Sequence, residues 1–206
     1  MIIDPKTVPP TVSYRVLVGS IVPRPIAFVS TTSPAGVNNL APFSFFNAVC
    51  GDPPVVLFCP VWRDPVKDTL ANVRTTKEFV VNIVSEDIVE QMNICAAEFP
   101  ASVDEFAMSA LTPVKSEVVR PPRVAESPVS MECRLLQIVE ISAQPMGGNI
   151  VIGEVVRFHV DDRVIAGDAG NGGTFRIDAE KLKAVGRMSG YDYARTRDRF
   201  SLVRPT

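Results

Sequence analysis

Apolar and polar positions alternate along much of the chain in short, β-branched runs, and Pro and Gly interrupt them at even spacing. A period of two is the mark of strands that bury one face, so strands should dominate. Residues 26–32, 55–61 and 79–84 are short, rich in Val, Ile and Phe and bounded by turn residues, which predicts buried strands of a barrel wall. Residues 129–141 and 150–160 flank Pro145-Met146-Gly147-Gly148-Asn149, whose glycines tolerate the backbone angles of a chain reversal. That pair predicts a long β-hairpin.

Helical signals are fewer. Residues 68–75 follow Lys67, and residues 86–97 follow Ser85, a good N-cap with acids in the first turn after it. Ser102 and Glu105 have the spacing of a capping box for a helix over 103–111, and the Pro-rich stretch beyond it, with Pro121-Pro122, is expected to be irregular. It reads as an insertion over one barrel end. Asp178 is placed to cap a helix through 180–185, and Gly167, Gly170, Gly172 and Gly173 before it predict a mobile loop.

The length of 206 residues, with 46% hydrophobic and 21% charged, suits one compact domain over 1–206 with a well-buried core. With 21 basic and 23 acidic residues the net charge is -2, which favours neither nucleic acid nor an anionic membrane as a partner. The opening MIIDPKTVPP has no basic segment followed by an apolar run, and no stretch approaches the roughly 20 apolar residues of a bilayer span, so a soluble, cytoplasmic location is expected. Cys50, Cys59, Cys95 and Cys133 are widely spaced without a CxxC pair, which predicts reduced core residues and no metal site. Only Cys50, beside the Gly51-Asp52 turn, has a setting open enough for a reactive thiol.

The most specific stretch is GSIVPRPIAFVSTTSPAGVNNLAPFSFFNAVCGDPPVVLF, over 19–58, followed by RDPVKDTLANVRTTKEFVVNIV and, near the end, GRMSGYDYARTRDRF. These motifs, in this order, resemble the flavin reductase-like, FMN-binding split-barrel family over nearly the whole chain. The resemblance implies a mainly β fold, an antiparallel split barrel of Greek-key type with a few covering α-helices. It also implies non-covalent FMN, NAD(P)H as co-substrate, and a homodimer with its flavin sites near the subunit interface. Onward transfer would go to a monooxygenase partner or a small acceptor. An FMN carrier that oxidises no NAD(P)H would carry the same motifs.

Read as chemistry, the hydroxyls of Ser30, Thr31 and Thr32 at the end of an apolar strand suit phosphate oxygens. Lys67, Asp68 and Thr69 add a charge, a hydroxyl and a helix N-terminus for the same phosphate. The plainer reading is that Asp68 and Thr69 cap a helix beside a solvated lysine. Arg24, stiffened between Pro23 and Pro25, presents a guanidinium for phosphate or flavin carbonyls, or simply interrupts an apolar strand. Asn39, Ala41, Pro42, Ser44 and Phe45 suit the edge and face of a flavin ring, although Phe43, Phe45 and Phe46 equally suit packing or a dimer interface.

His159 is the only histidine, on the strand face it shares with Val155 and Arg157. It is the candidate proton donor, and a structural role competes with that. It has no partner in sequence that would make a hydrolytic triad. Arg187 and Tyr193, in a basic and aromatic cluster, are candidates for substrate or NAD(P)H binding, or for tail packing.

Overall fold

The computed structural model describes residues 1–167 and 174–205. Helix α1 (Pro10–Ser20) precedes four strands, β1 (Ala27–Thr32), β2 (Asn38–Phe43), β3 (Phe46–Gly51) and β4 (Pro54–Phe58). Helix α2 (Asp68–Thr76), β5 (Glu78–Ile83), α3 (Val89–Ile94), α4 (Glu105–Ser109) and the short strands β6 (Pro113–Val114) and β7 (Arg123–Val124) follow. The long hairpin β8 (Val129–Glu140) and β9 (Asn149–Val160) leads to β10 (Ile165–Ala166), β11 (Arg176–Ile177), α5 (Ala179–Leu182), β12 (Val185–Arg187) and β13 (Tyr193–Arg195).

Seven strands form one sheet in the order β2-β1-β5-β8-β9-β4-β3, and every pairing in it is antiparallel. The sheet does not close on itself, because β2 and β3 stand at its two ends. The barrel is therefore split. Every residue of β1 is buried, the pattern of a strand covered on both faces. Ala27 and Val29 join a core with Phe43, Phe58, Phe79 and Val151, whereas Phe28 packs on the opposite side with Leu40, Ile88, Met92 and Phe106.

The helices differ from the sequence expectations mainly in length. Over 86–97 a single 3-10 turn (Glu86–Ile88) precedes α3, which stops at Ile94. The predicted helix over 103–111 shrinks to Glu105–Ser109, and its cap is Asp104, whose side chain accepts the Phe106 N–H at 2.9 Å. Ser102 forms no capping box, because Glu105 turns inward to accept the Leu40 N–H at 3.0 Å. Asp178 does cap α5, accepting the Glu180 N–H, but that helix ends at Leu182 where Lys183 turns left-handed. Helix α1 carries a signal the alternation did not show, a proline at its first position after Pro9.

The stretch after α4 is irregular, as its prolines predict, and acidic and amide side chains of the sheet stitch it down. Glu132 accepts the N–H groups of Glu117, Val118 and Val119, Glu78 accepts that of Arg120, and Asn82 accepts that of Val124. Among the glycines of the predicted mobile loop, Gly167 turns at φ 86, while Gly170, Gly172 and Gly173 lie outside the described residues.

The thiols do not all lie in the core. Cys95 and Cys133 are buried and Cys59 is half-buried, but Cys50 is exposed, because β3 is an edge strand whose register slips between Ala48 and Cys50. Among the described residues, no helix is long and apolar enough to cross a membrane and no cluster of metal-ligating side chains occurs.

Candidate functional site

Helix α1 lies over the turn that joins β8 to β9, and between them opens a chamber of about 700 Å³. Tyr14 and Leu17 of α1, Phe45, Cys59, Pro60, Ile141 and Met146 make its walls predominantly apolar. The chamber shares Val61, Ser142 and Asn149 with a smaller recess of about 100 Å³, whose other walls include Arg63, Lys67, Leu70, Arg74 and Glu140. One groove thus joins an apolar compartment to a basic one.

The basic end has donors to spare. Asn149 is 3% exposed, and its Nδ2 is a buried donor without a partner among the described residues; Arg63 Nε is another. Leaving such groups unsatisfied costs roughly 1 to 3 kcal/mol each. Lys67 has its Nζ 5.9 Å from the Phe43 ring centroid. Burial, and then the neighbouring Arg63, hold its ammonium below the ordinary lysine range. An incoming anion would relieve that strain on its charge. Arg63 is itself tied to Glu98 through Nη1 at 2.8 Å, and Arg74 of α2 pairs with Glu140 of β8.

Beneath the groove lies a polar spine made from residues that the sequence offered as phosphate ligands. Thr31 and Thr69 are fully buried, and Asn39 Nδ2 donates to both hydroxyls, at 3.2 and 2.9 Å. Asn72 Nδ2 donates to Thr31 Oγ1 at 3.0 Å. Thr32 bonds Asn38 at 3.3 Å, and Ser30 donates to the carbonyl of Pro122 in the irregular stretch. The bonds among Thr31, Asn39, Thr69 and Asn72 hold α2 against β1 and β2, and with it Lys67, which lines the recess; none of these groups lines either compartment. Asp68, half-buried, supplies the acid in the first turn of α2.

Arg24 does not reach the groove either. It is 5% exposed, its Nη1 donates to the carbonyls of Val18 and Ile21 at 2.7 and 2.8 Å, and its Nη2 donates to that of Met188 at 2.9 Å. Nε reaches Ser44 Oγ at 3.4 Å. The guanidinium closes the C-terminal end of α1 and locks β12 to it, a structural use that satisfies its donors. Pro25 beside it is exposed, Ala41 is buried in β2, and Pro42 and Ser44 are half-buried. Of this run only Phe45 lines the chamber, with its ring 6.0 Å from the Arg24 guanidinium.

His159 lines neither compartment; its Nε2 is bonded to the buried Glu132. Arg187 and Tyr193 pair across β12 and β13, the guanidinium 4.5 Å from the ring centroid, and Tyr193 Oη donates to Asn93 at 3.2 Å. They build the C-terminal hairpin.

The sequence reading missed Arg63, Asn149, Tyr14 and Leu17 as lining residues. Arg63 stood in the quoted RDPVKDT motif, four residues before Lys67, and Asn149 was visible only as a turn residue.

A model of the flavin reductase like domain matches residues 18–169. The chain is similar to nitrilotriacetate monooxygenase component B from Bacillus cereus, at 36% identity over 98% of both chains, with a TM-score of 0.90. It is similar to the 2-nitrobenzoate 2-nitroreductase NbaA of Pseudomonas fluorescens, at 30% identity over 100% of this chain and 97% of the other, with a TM-score of 0.88. A third likeness, of fold alone, is to a protein from Shewanella frigidimarina described as a flavin reductase with a split barrel domain. It has 22% identity over 98% of this chain and 96% of the other, with a TM-score of 0.81.

Proposed function

Because this chain belongs to the flavin reductase-like family, we propose that it is a single-domain oxidoreductase that binds FMN non-covalently in the groove beside α1. The observation that carries this reading is the continuity of the apolar chamber with the basic recess, since FMN has an apolar ring at one end and an anion at the other. Bound there, FMN would supply the ring that accepts hydride from NAD(P)H and hands electrons on. Phe45, Leu17 and Tyr14 would pack on the ring and keep water from it, and the basic recess lined by Arg63, Lys67 and Asn149 would hold the anionic end.

Both compartments open to the surface, and a homodimer whose second copy covers the chamber fits the exposed Tyr14, Leu17, Phe45 and Ile141 at its rim. The likeness to a monooxygenase component supports a monooxygenase partner in the cytoplasm as recipient of the electrons. The likeness to a nitroreductase supports a small aromatic acceptor as the other recipient.

The test is the absorption spectrum of the purified protein with added FMN under anaerobic conditions. Flavin bands that bleach on addition of NADH or NADPH are expected. Bands that persist with both nucleotides would make the protein an FMN carrier, and absence of bound flavin would end the proposal.

A further inference from the structure

We propose that α1 is a gate to the chamber and that Arg24 is its positioning residue: a ligand of the chamber enters and leaves when α1 undocks locally, while the barrel stays folded. Ser13, Tyr14 and Leu17 of α1 line the chamber, so its undocking removes one wall. With FMN as the ligand, this rests on the flavin reading above and adds how the flavin exchanges.

Three observations carry it. First, the helix has little stability of its own. Its 11 residues fall short of the roughly 12 to 15 at which even a good isolated helix holds in water, and Thr11, Val12, Val16, Val18 and Gly19 are weak helix formers. Pro9 offers no side-chain cap, no acid stands in the first turn and no base in the last. Second, packing supplies little in its place. Val18 is the one buried residue of α1, whereas α2 buries Thr69, Leu70, Asn72 and Val73 within nine residues. Tyr14, Val16 and Leu17 are exposed. An element with so few buried contacts opens well below the free energy of global unfolding. Third, among the described residues the side-chain hydrogen bonds that tie α1 to the barrel converge on one end. Arg24 donates through Nη1 to the carbonyls of Val18 and Ile21 and through Nη2 to that of Met188. Its own backbone is joined to Arg187 of β12 by two hydrogen bonds, at 3.0 and 2.8 Å, so the pivot stays with the barrel. At the other end residues 1–7 are exposed. A ring packed on Tyr14 and Leu17 would add the apolar contact that α1 lacks, so bound flavin would hold the gate shut.

The test is hydrogen exchange of the full-length protein, read peptide by peptide, together with the rate of FMN release from the loaded protein. The amides of α1 are expected to exchange at least about tenfold faster than those of α2, and FMN should slow them. Val18→Ser removes the buried contact at similar helix propensity and should speed α1 exchange and FMN release together. Gly19→Ala should slow both about fivefold. A Cβ at Gly19 meets nothing within 4 Å, and neither residue lines the chamber, so this variant acts through helix propensity. Arg24→Gln should speed exchange in α1 more than in β1 and β5, and Arg24→Lys, which keeps a charged donor for the carbonyls, should recover part of the protection. Equal loss of protection in α1, β1 and β5 would overturn the positioning role. Exchange in α1 as slow as in α2, whether its own packing or a second copy holds it, would overturn the gate. So would a rate of FMN release unmoved by variants that shift α1 exchange. If no flavin binds, the flavin reading fails, and labelling of Cys59 in the chamber then reads the gate alone, with the exposed Cys50 as reference. Its rate should rise in Val18→Ser and fall in Gly19→Ala, and an unchanged rate in both would overturn the gate.

Discussion

The Nε2 atom of His159 lies 2.6 Å from Oε1 of Glu132, a carboxylate with no solvent exposure. The same carboxylate accepts backbone N–H groups from Glu117 and Val118, each at 2.7 Å. Burial alone would raise its pKa, but those two N–H bonds and His159 outweigh it and hold the carboxyl below its ordinary range. His159 is therefore a partner for a buried charge that pins the irregular stretch to the sheet, and it stands outside the groove.

Glu132→Gln should destabilise the protein by about 1.5 to 3 kcal/mol in urea unfolding at neutral pH, since a charged acceptor is lost. A depressed pKa in the folded state contributes stability above the ordinary carboxylate value, which is lost as pH falls through the folded value. The wild type should thus lose its advantage over the variant in acid. His159→Gln should leave the rate of flavin reduction within about twofold of wild type, well short of the roughly 100-fold loss expected of a missing general acid. A loss of that larger size would restore the histidine to the chemistry.

Glu105 carries the opposite shift. Its burial, partly offset by the bond from the Leu40 N–H, pushes the carboxyl up. The folded state then holds its proton more tightly than the unfolded chain, so stability falls as pH rises from the ordinary carboxylate value through the raised one. Glu105→Gln still accepts from Leu40 and should show a higher Tm than wild type at pH 7.5, with the difference vanishing in acid. The same difference at every pH would show that charge is not its cause.

Gly153 has no room for a side chain. A Cβ there would stand 2.4 Å from Cζ and 2.7 Å from Cε1 of Phe79, a ring held edge-on to Phe58 at 5.3 Å. Gly153→Ala should cost about 1 to 3 kcal/mol by denaturant unfolding, and adding Phe79→Leu should recover part of it. A neutral Gly153→Ala would mean that the ring moves freely.

The thiols should separate by reactivity. Cys50 is exposed and should react first with a disulfide reagent; burial pushes the Cys59 thiol up, and it should react slowly and be shielded by FMN in the chamber. Burial pushes Cys95 to about 11 and Cys133 higher still, so both should wait for unfolding. Labelling followed by peptide mapping, with and without FMN, checks the order. A Cys59 labelling rate unchanged by FMN would place the flavin elsewhere.

Alternation along the chain was sufficient to find β1, β4, β5 and the β8–β9 hairpin, because burying one face or both leaves a local periodic trace. The short run of β1, apolar until its hydroxyls, marked it as buried, and the structure shows that both its faces are covered. Lys67 at the head of α2 was legible for the same local reason: a motif and a helix start adjoin it. Periodicity reports that a face is covered but not what covers it. Ser30 is taken up by Pro122, 92 residues away, and Arg24 by Met188, 164 residues away, bonds to the fold that no local pattern announces. Asn149 joined the wall of the recess only when the hairpin end came beside Arg63 and α2. The sequence by itself determined the strands and the family motifs, and it singled out Lys67, which lines the recess. The tertiary structure decided which polar groups would be left unpaired, because satisfying a buried donor depends on neighbours that the chain order does not bring together.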